Sequence, residues 1–314
     1  MSNFFQWPKT LPYKFKKTDK KVSNKSVDEI ESFFSKCYKS KYTVLTPSGR
    51  SALNLILSFN NFDRSKIVNI PKWSSSCLFQ TIGAITNVTV GNYSSDCQVV
   101  VHKWGHTFKQ SERRNYNQLV IDDSADTIPN VNYAPFINQS DYEFISIPKI
   151  VGSFSGGIII TKNKKFYEFC KKKQTENKSL GIHQSQKKYE TIFSKRKYSD
   201  WMYLESFNTS LEYNMIENIK ENLKNYEKNK NIILNRRNFI KEKFSNIYLD
   251  KDRLGPCLLI KKKRNNKTLN IRHFNFSKRA DKEKYFKAYV LPVHFGIKNR
   301  DFKKMIGNLS KFTK

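Results

Sequence analysis

Seven short runs rich in β-branched and apolar residues recur through the first half of the chain, at 42–45, 67–70, 88–90, 98–101, 119–121, 144–147 and 158–161. Most are separated by roughly 15 to 25 residues, several with apolar residues at helical spacing in between, which is the pattern of strand–helix–strand units lying parallel in one sheet. The expected fold is therefore α/β, a mostly parallel doubly wound sheet, with any ligand in the crevice beyond the carboxyl ends of the strands. Helices are expected at 27–38, opened by a capping box at Ser26-Val27-Asp28-Glu29, from Ala52 onward, and at 74–85.

The stretch YEFISIPKIVGSFSGGIIIT (142–161) places a single lysine, Lys149, between two apolar runs. Pro148 biases Ile147 towards an extended conformation, so Lys149 is expected at the mouth of a strand. Seven residues later comes Gly156-Gly157, suited to close backbone approach or to dihedrals other residues avoid, and the next strand follows directly. A hairpin or crossover loop is implied. An amine against apolar walls should have a lowered pKa and act as a nucleophile towards a carbonyl, which is Schiff-base chemistry. The competing reading is a lysine that snorkels from a strand end.

Other strand ends collect further candidates. Ser48-Gly49-Arg50-Ser51 opens a helix, where backbone N–H groups and hydroxyls at the positive end of the dipole form a phosphate cradle; a serine N-cap on a core helix is the simpler account. Trp73, the loop from His102 to His106, and Asp122-Asp123 all fall at or beside strand ends, so one crevice could collect them with Lys149. Asp122 and Asp123 are adjacent in an extended segment and cannot both point into it.

The chain carries 58 Lys plus Arg against 27 Asp plus Glu, a net charge of +31. Charge alone points to phosphates or an acidic partner, but the lysines are scattered among Asn, Ile, Phe and Tyr rather than gathered in a stripe with spaced aromatics, so no nucleic-acid partner is expected. The five cysteines form no CxxC and read as free thiols, and the five histidines do not join them at a zinc spacing. With no signal-like segment and no apolar window of about 20 residues, a cytoplasmic protein without a membrane partner is expected. Residues 1–25 form a basic arm lying on the body of the protein or on a partner subunit, 26–165 the large α/β domain, and 166–314 a helical segment with a smaller α+β domain. Within the last part, 184–245 is mostly helical with a turn near 206–209, strands are expected at 257–260, 269–274 and 289–294, and a final helix at 302–312.

Taken in order, SGRSAL (48–53), VVVHKWGH (99–106), VIDDSAD (120–126), Lys149 seven residues before Gly-Gly, and LPVH (291–294) resemble the pyridoxal-phosphate-dependent nucleotide-sugar aminotransferases of the DegT/DnrJ type. The resemblance runs from about residue 26 to 161 and resumes near the C-terminus. It implies a three-layer fold type I transferase with a shortened C-terminal domain, pyridoxal 5'-phosphate as cofactor, and a homodimer with the active site at its interface. It implies Lys149 as the Schiff-base lysine, Asp123 facing the pyridine nitrogen, Gly49, Arg50 and Ser51 on the phosphate with Ser146 as helper, and His294 in substrate binding. An acidic helix N-cap is the alternative account of Asp123.

Several positions depart from that family's pattern. Asp126 stands where Gln or His contacts the cofactor's phenolic oxygen, and the ring-stacking aromatic falls at Ser75, with Trp73 two residues away as its replacement. Ser146 lies three residues before the lysine rather than five. The activity implied is transfer of an amino group from glutamate to a nucleotide-linked keto-sugar in polysaccharide or related glycan biosynthesis. The alternatives are the same cofactor with another outcome, such as dehydration or a non-sugar keto substrate, and a non-catalytic homologue.

Overall fold

A computed structural model describes residues 7–16, 20–91, 94–108, 117–129, 133–176, 178–193, 205–248, 253–261, 273–276 and 286–313. All seven expected runs are strands of one sheet: β1 (Tyr42–Thr46), β2 (Ile67–Ile70), β3 (Asn87–Val90), β4 (Cys97–Val101), β5 (Leu119–Asp123), β6 (Tyr142–Ser146) and β7 (Gly157–Thr161). Their spatial order is β1-β7-β6-β5-β4-β2-β3. β7 runs against both neighbours, and the other pairs are parallel. The fold is α/β with a mostly parallel sheet, as expected.

Both faces of the sheet are covered, which is why its central strands are apolar without interruption. Ile158 and Ile160 point into one core and Ile159 into the other, following the two-residue alternation of a strand. The core around Ile159 receives α2 (Gly49–Phe59), through Ala52, Leu53 and Ile56, and α5 (Lys164–Lys173), through Phe166. α3 (Ser76–Gly83) packs there too, through Leu78 and Ile82. The other core receives α1 (Asn24–Tyr38), with Ile30 and Phe34, and residues from the second half of the chain such as Ile216, Ile219, Leu258 and Leu291.

That second half holds α6 (Lys178–Phe193), α7 (Tyr213–Leu223), α8 (Tyr226–Lys243) and α9 (Asn299–Thr313). It also holds a three-stranded antiparallel sheet of β8 (Cys257–Lys261), β9 (His273–Phe276) and β10 (Phe286–Pro292), in the order β8-β10-β9. A turn at 205–207 interrupts the helices, as expected. Residues 194–204 and 269–272, parts of an expected helical region and an expected strand, lie outside the described residues. No helix among the described residues is long and apolar enough to cross a membrane.

Three local expectations are corrected. α1 begins at Asn24 after an N-cap at Ser23, so Ser26 lies inside the helix and the capping box does not form. The hydroxyl of Ser26 accepts from Lys220 at 3.2 Å and Glu29 pairs with the same amine at 2.9 Å. α3 starts at Ser76 rather than 74, because Ser74 is used in a turn whose N–H donates to the Pro71 carbonyl. Ile147 is not extended: it opens a one-turn helix, α4 (Ile147–Val151), with Ser146 as the extended N-cap and Pro148 in the first turn, where a missing N–H breaks no helical bond. The bias against helix before proline is outweighed by burial of Ile147 and by its N–H bond to the Gly156 carbonyl at 3.1 Å.

Both uses foreseen for the Gly-Gly pair occur. Gly156 has φ +116°, which favours glycine, and a Cβ on Gly157 would lie 2.5 Å from the carbonyl carbon of Ser48. The Gly156 N–H and the Ser155 hydroxyl both donate to the Pro47 carbonyl, at 2.8 and 2.6 Å. Gly157→Ala must therefore push β7 away from the turn that opens α2. We expect a loss of about 1–3 kcal/mol in urea denaturation, whereas Gly83→Ala, with open space around its Cβ position, should leave stability unchanged or raise it.

Candidate active site

The carboxyl ends of β5 and β6, the first turns of α2 and α3, and α4 surround a cavity of about 810 Å³. Ser48, Gly49 and Arg50 form its floor at the start of α2, Ser75, Cys77 and Leu78 come from the start of α3, and Asp123, Ala125, Ser146 and Lys149 from the strand ends. Trp7, Pro8, Lys9 and Thr10 of the N-terminal stretch and Lys188, Ile192, Phe193 and Glu205 of the second half close the rim.

The α2 end is an anion cradle. Gly49 and Arg50 occupy the first helical positions, whose N–H groups have no acceptor within the helix. The N–H of Ser51 is held by Ser48 Oγ at 3.1 Å, so the serine N-cap and the cradle are the same structure. Ser51 itself is turned away from the cavity: fully buried, its hydroxyl donates to the Glu205 carbonyl at 2.9 Å. The Glu205 carboxylate receives both the Arg50 guanidinium and the Lys188 ammonium, holding two cations beside the cradle.

At the other end Lys149 Nζ lies 2.6 Å from Asp126 Oδ1. Burial by itself would lower the lysine's pKa, but Asp126, with Cys77 and Asp123 adding to it, raises it above the ordinary lysine range. The expected low-pKa amine is thus corrected: the nearest group is a carboxylate, not an apolar wall, and Lys149 rests as an ammonium. The same pairing settles Asp126. Burial opposes its charge, yet Lys149 and Lys103 hold its carboxyl below the usual range.

Asp122 and Asp123 point to opposite sides of β5. Asp122 faces inward, with His102 Nε2 3.1 Å away and Asn138 and Ser140 donating to it at 2.9 and 2.8 Å. Burial disfavours its charge, but His102 and these donors keep its carboxyl low. The Phe108 N–H donates to His102 Nδ1 at 3.0 Å, which puts the imidazole proton on Nε2. Asp123 instead lines the cavity, with Oδ1 accepting the Ala125 N–H at 2.9 Å. Burial raises its pKa more than Lys149 lowers it. A buried carboxylate in that state is suited to a cationic N–H donor arriving in the cavity.

Trp73 and His294 are not brought to the cavity. The Trp73 ring packs on Phe108 with centroids 4.7 Å apart, and Ser75 lines the wall in its place. His294 is buried in the turn after β10, where its Nδ1 accepts the Gly296 N–H at 3.2 Å. Trp7, Cys77, Lys188 and Glu205 had no signal in the sequence as site residues, because none lies in a strand-end motif.

A model of the family described as "Putative PLP-dependent aminotransferase" matches residues 30–313. Among curated proteins no match is found. Several solved structures share the fold. A DegT DnrJ EryC1 StrS aminotransferase from Brucella abortus is 12% identical with a TM-score of 0.60, the match covering 92% of this chain and 90% of that one. A "Putative sugar aminotransferase" from Streptococcus pneumoniae is 13% identical with a TM-score of 0.59, over 98% of this chain and 93% of that one. A variant of a GDP-4-keto-6-deoxymannose-3-dehydratase with bound GDP-perosamine is 14% identical with a TM-score of 0.58, over 93% of both chains.

The Lys149–Asp126 pair gives a pH dependence of definite sign. A raised lysine pKa keeps the amine protonated to higher pH, so acylation of Lys149 in the cofactor-free protein should begin at more alkaline pH than at ordinary lysines. Asp126→Asn removes the charge that raises it and should move that onset to lower pH, while Asp126→Glu should largely keep it. Competitive labelling read by peptide mass spectrometry checks both. An onset unchanged in Asp126→Asn would show that the pair does not govern the amine.

Proposed function

The chain belongs to the pyridoxal-phosphate-dependent aminotransferase family, and from that premise we propose that it transfers an amino group from an amino-acid donor, glutamate, to a keto-sugar carried on a nucleotide. The observation that carries the reading is one cavity holding an anion cradle at α2, a buried carboxylate at Asp123 and an amine at Lys149. These are the three groups that a phosphate, a ring nitrogen and a carbonyl on one small molecule would need. Pyridoxal phosphate, when bound, supplies a carbonyl that condenses with amines and a ring that draws electrons from the substrate Cα.

The residues then have distinct tasks. Gly49 and Arg50 N–H groups bind the phosphate, with the Arg50 and Lys188 cations beside them and Ser146 as a further hydroxyl. Asp123 keeps a proton on the ring nitrogen by a charge-assisted hydrogen bond. Lys149 Nζ would carry the covalent link and afterwards move a proton, and the Asp126 carboxylate, with Oδ1 2.6 Å from Nζ, holds the amine in position. The sugar substrate is supported by the structural relatives whose names include a sugar aminotransferase and a bound nucleotide-linked sugar, and by a net charge of +31, which draws in a diphosphate. A cytoplasmic homodimer with the cavity at its interface belongs to the same proposal.

Borohydride treatment of the loaded protein should fix the cofactor on the peptide containing Lys149, and Lys149→Ala should fold without that adduct. Asp123→Asn should weaken cofactor retention by about 10- to 150-fold, the equivalent of a charge-assisted hydrogen bond of about 1.5–3 kcal/mol, while Asp122→Asn should act on stability instead. An adduct on another lysine would overturn the site. Product analysis with nucleotide-linked keto-sugars separates an aminated sugar from a dehydrated one, the outcome that one structural relative is named for.

A further inference from the structure

Trp7 belongs to a stretch that shows no catalytic motif, yet its indole lies over the reacting end of the cavity. The ring centroid is 5.1 Å from Lys149 Nζ. The side chain is 39% exposed, among the most exposed large apolar groups described, and Trp7 lines the cavity together with Pro8, Lys9 and Thr10. Its place is set by the backbone that follows it. Leu11 N–H donates to the Gly152 carbonyl at 2.8 Å, and Gly152 is the residue that caps α4. A Cβ on Gly152 would come 3.2 Å from the Lys9 carbonyl, and one on Gly296 would come 3.5 Å from Pro8 Cα. The strap that carries Trp7 is therefore seated against the end of the helix that carries Lys149.

We propose that Trp7 is the platform on which the hexose ring of the acceptor lies, and so a specificity-determining residue; the inference rests on the nucleotide-sugar reading above. Asp126 Oδ1 lies 2.6 Å from Lys149 Nζ, and the Trp7 ring centroid 5.1 Å from it. A substrate that reaches the nitrogen through the cavity does so alongside the indole that covers it. An aromatic face carries the negative part of its quadrupole, attracting cations and the partly positive C–H groups on a pyranose face, and offering nothing to a carboxylate. A hexose brings its C–H face to the indole.

The test uses the pyridoxal-phosphate-loaded protein and Trp7→Ala and Trp7→Phe variants, substitutions at an exposed side chain. UDP-glucose, GDP-mannose and dTDP-glucose are each titrated by calorimetry beside the matching nucleoside diphosphate. The glutamate half-reaction is followed separately by cofactor absorbance. At least one nucleotide-hexose should bind the unsubstituted protein more tightly than its nucleoside diphosphate. Trp7→Ala should lose about tenfold of the hexose affinity, the size of an aromatic contact, Trp7→Phe should keep most of it, and the affinity for the nucleoside diphosphate should change by much less. Unchanged hexose affinity in Trp7→Ala, or equal losses for hexose and diphosphate, would overturn the platform while leaving the nucleotide-sugar reading intact. A loss confined to glutamate would move Trp7 to the donor and overturn it as well. If no nucleotide-hexose binds better than its diphosphate even with Trp7 in place, the substrate class of the proposed function fails, and the platform with it.

Discussion

Everything at the cavity depends on one backbone contact, the seating of Gly156-Gly157 against the Pro47-Ser48 turn. It brings the start of α2 and the helix that carries Lys149 to the same end of the sheet, on either side of Gly157, since β7 lies between β1, which leads into α2, and β6, which leads into α4, and runs against both. A side chain at 157 would occupy the space of the Ser48 carbonyl. The separation of anion cradle and amine is thus fixed by strand pairing and by the absence of two Cβ atoms, not by the flexible side chains themselves. That is how a site with elements from distant parts of the sequence is held to the tolerance catalysis requires.

A second constraint ties the two sheets together. Glu143 on β6 is fully buried and accepts from Arg253 at 2.7 Å, from the Phe136 N–H at 2.9 Å, and from the hydroxyls of Ser124 and Tyr133. The Arg253 guanidinium also lies 4.2 Å from the centre of the Tyr133 ring. Two buried charges are costly to desolvate, and such a pair is tolerated because every oxygen of the carboxylate is engaged; removing one partner typically costs about 3–5 kcal/mol. The same segment bonds to both loops flanking β5, with Arg253 N–H donating to the Gly105 carbonyl at 3.1 Å and Ile128 N–H to the Leu254 carbonyl at 2.8 Å. Ser124 stands next to Asp123, so the pair also steadies the loop from which Asp123 and Asp126 project.

The strands were legible because burial on both faces demands unbroken apolar runs, and Lys149 because a charge between two such runs is conspicuous. Strand alternation says that Asp122 and Asp123 cannot both face the crevice, the resemblance chose Asp123, and the two lie on opposite sides of β5 with Asp123 at the cavity. What could not be read is what depends on distant partners. The capping signal at Ser26 is a local pattern, and Lys220, almost two hundred residues on, takes both of its groups. Trp73 has the composition of a stacking residue, but Phe108 claims its ring. The pKa of Lys149 was misjudged for the same reason: apolar neighbours in sequence say nothing of Asp126, which a turn after a neighbouring strand delivers to within 2.6 Å. Glu205 and Trp7 enter the site from the second half and the N-terminal arm, where no period or motif marks them.

The charge balance of the cavity differs from that of the whole chain, and the difference gives the surface lysines a role. Around the cavity Arg50 and Lys188 share Glu205, and Lys149 is paired with Asp126 while Asp123 stays buried nearby. These groups very nearly cancel, although the chain as a whole carries +31. A site neutral in this way does not trap any passing anion, because the cations at α2 already have a carboxylate partner and an entering phosphate must share them. Selectivity then falls to the directed N–H groups at Gly49 and Arg50, which favour an anion that can reach several donors at once. The excess positive charge lies outside this balanced shell, where solvent screens it within about 10 Å at 0.1 M salt. At that distance it raises the rate at which anions arrive without deciding which of them stay.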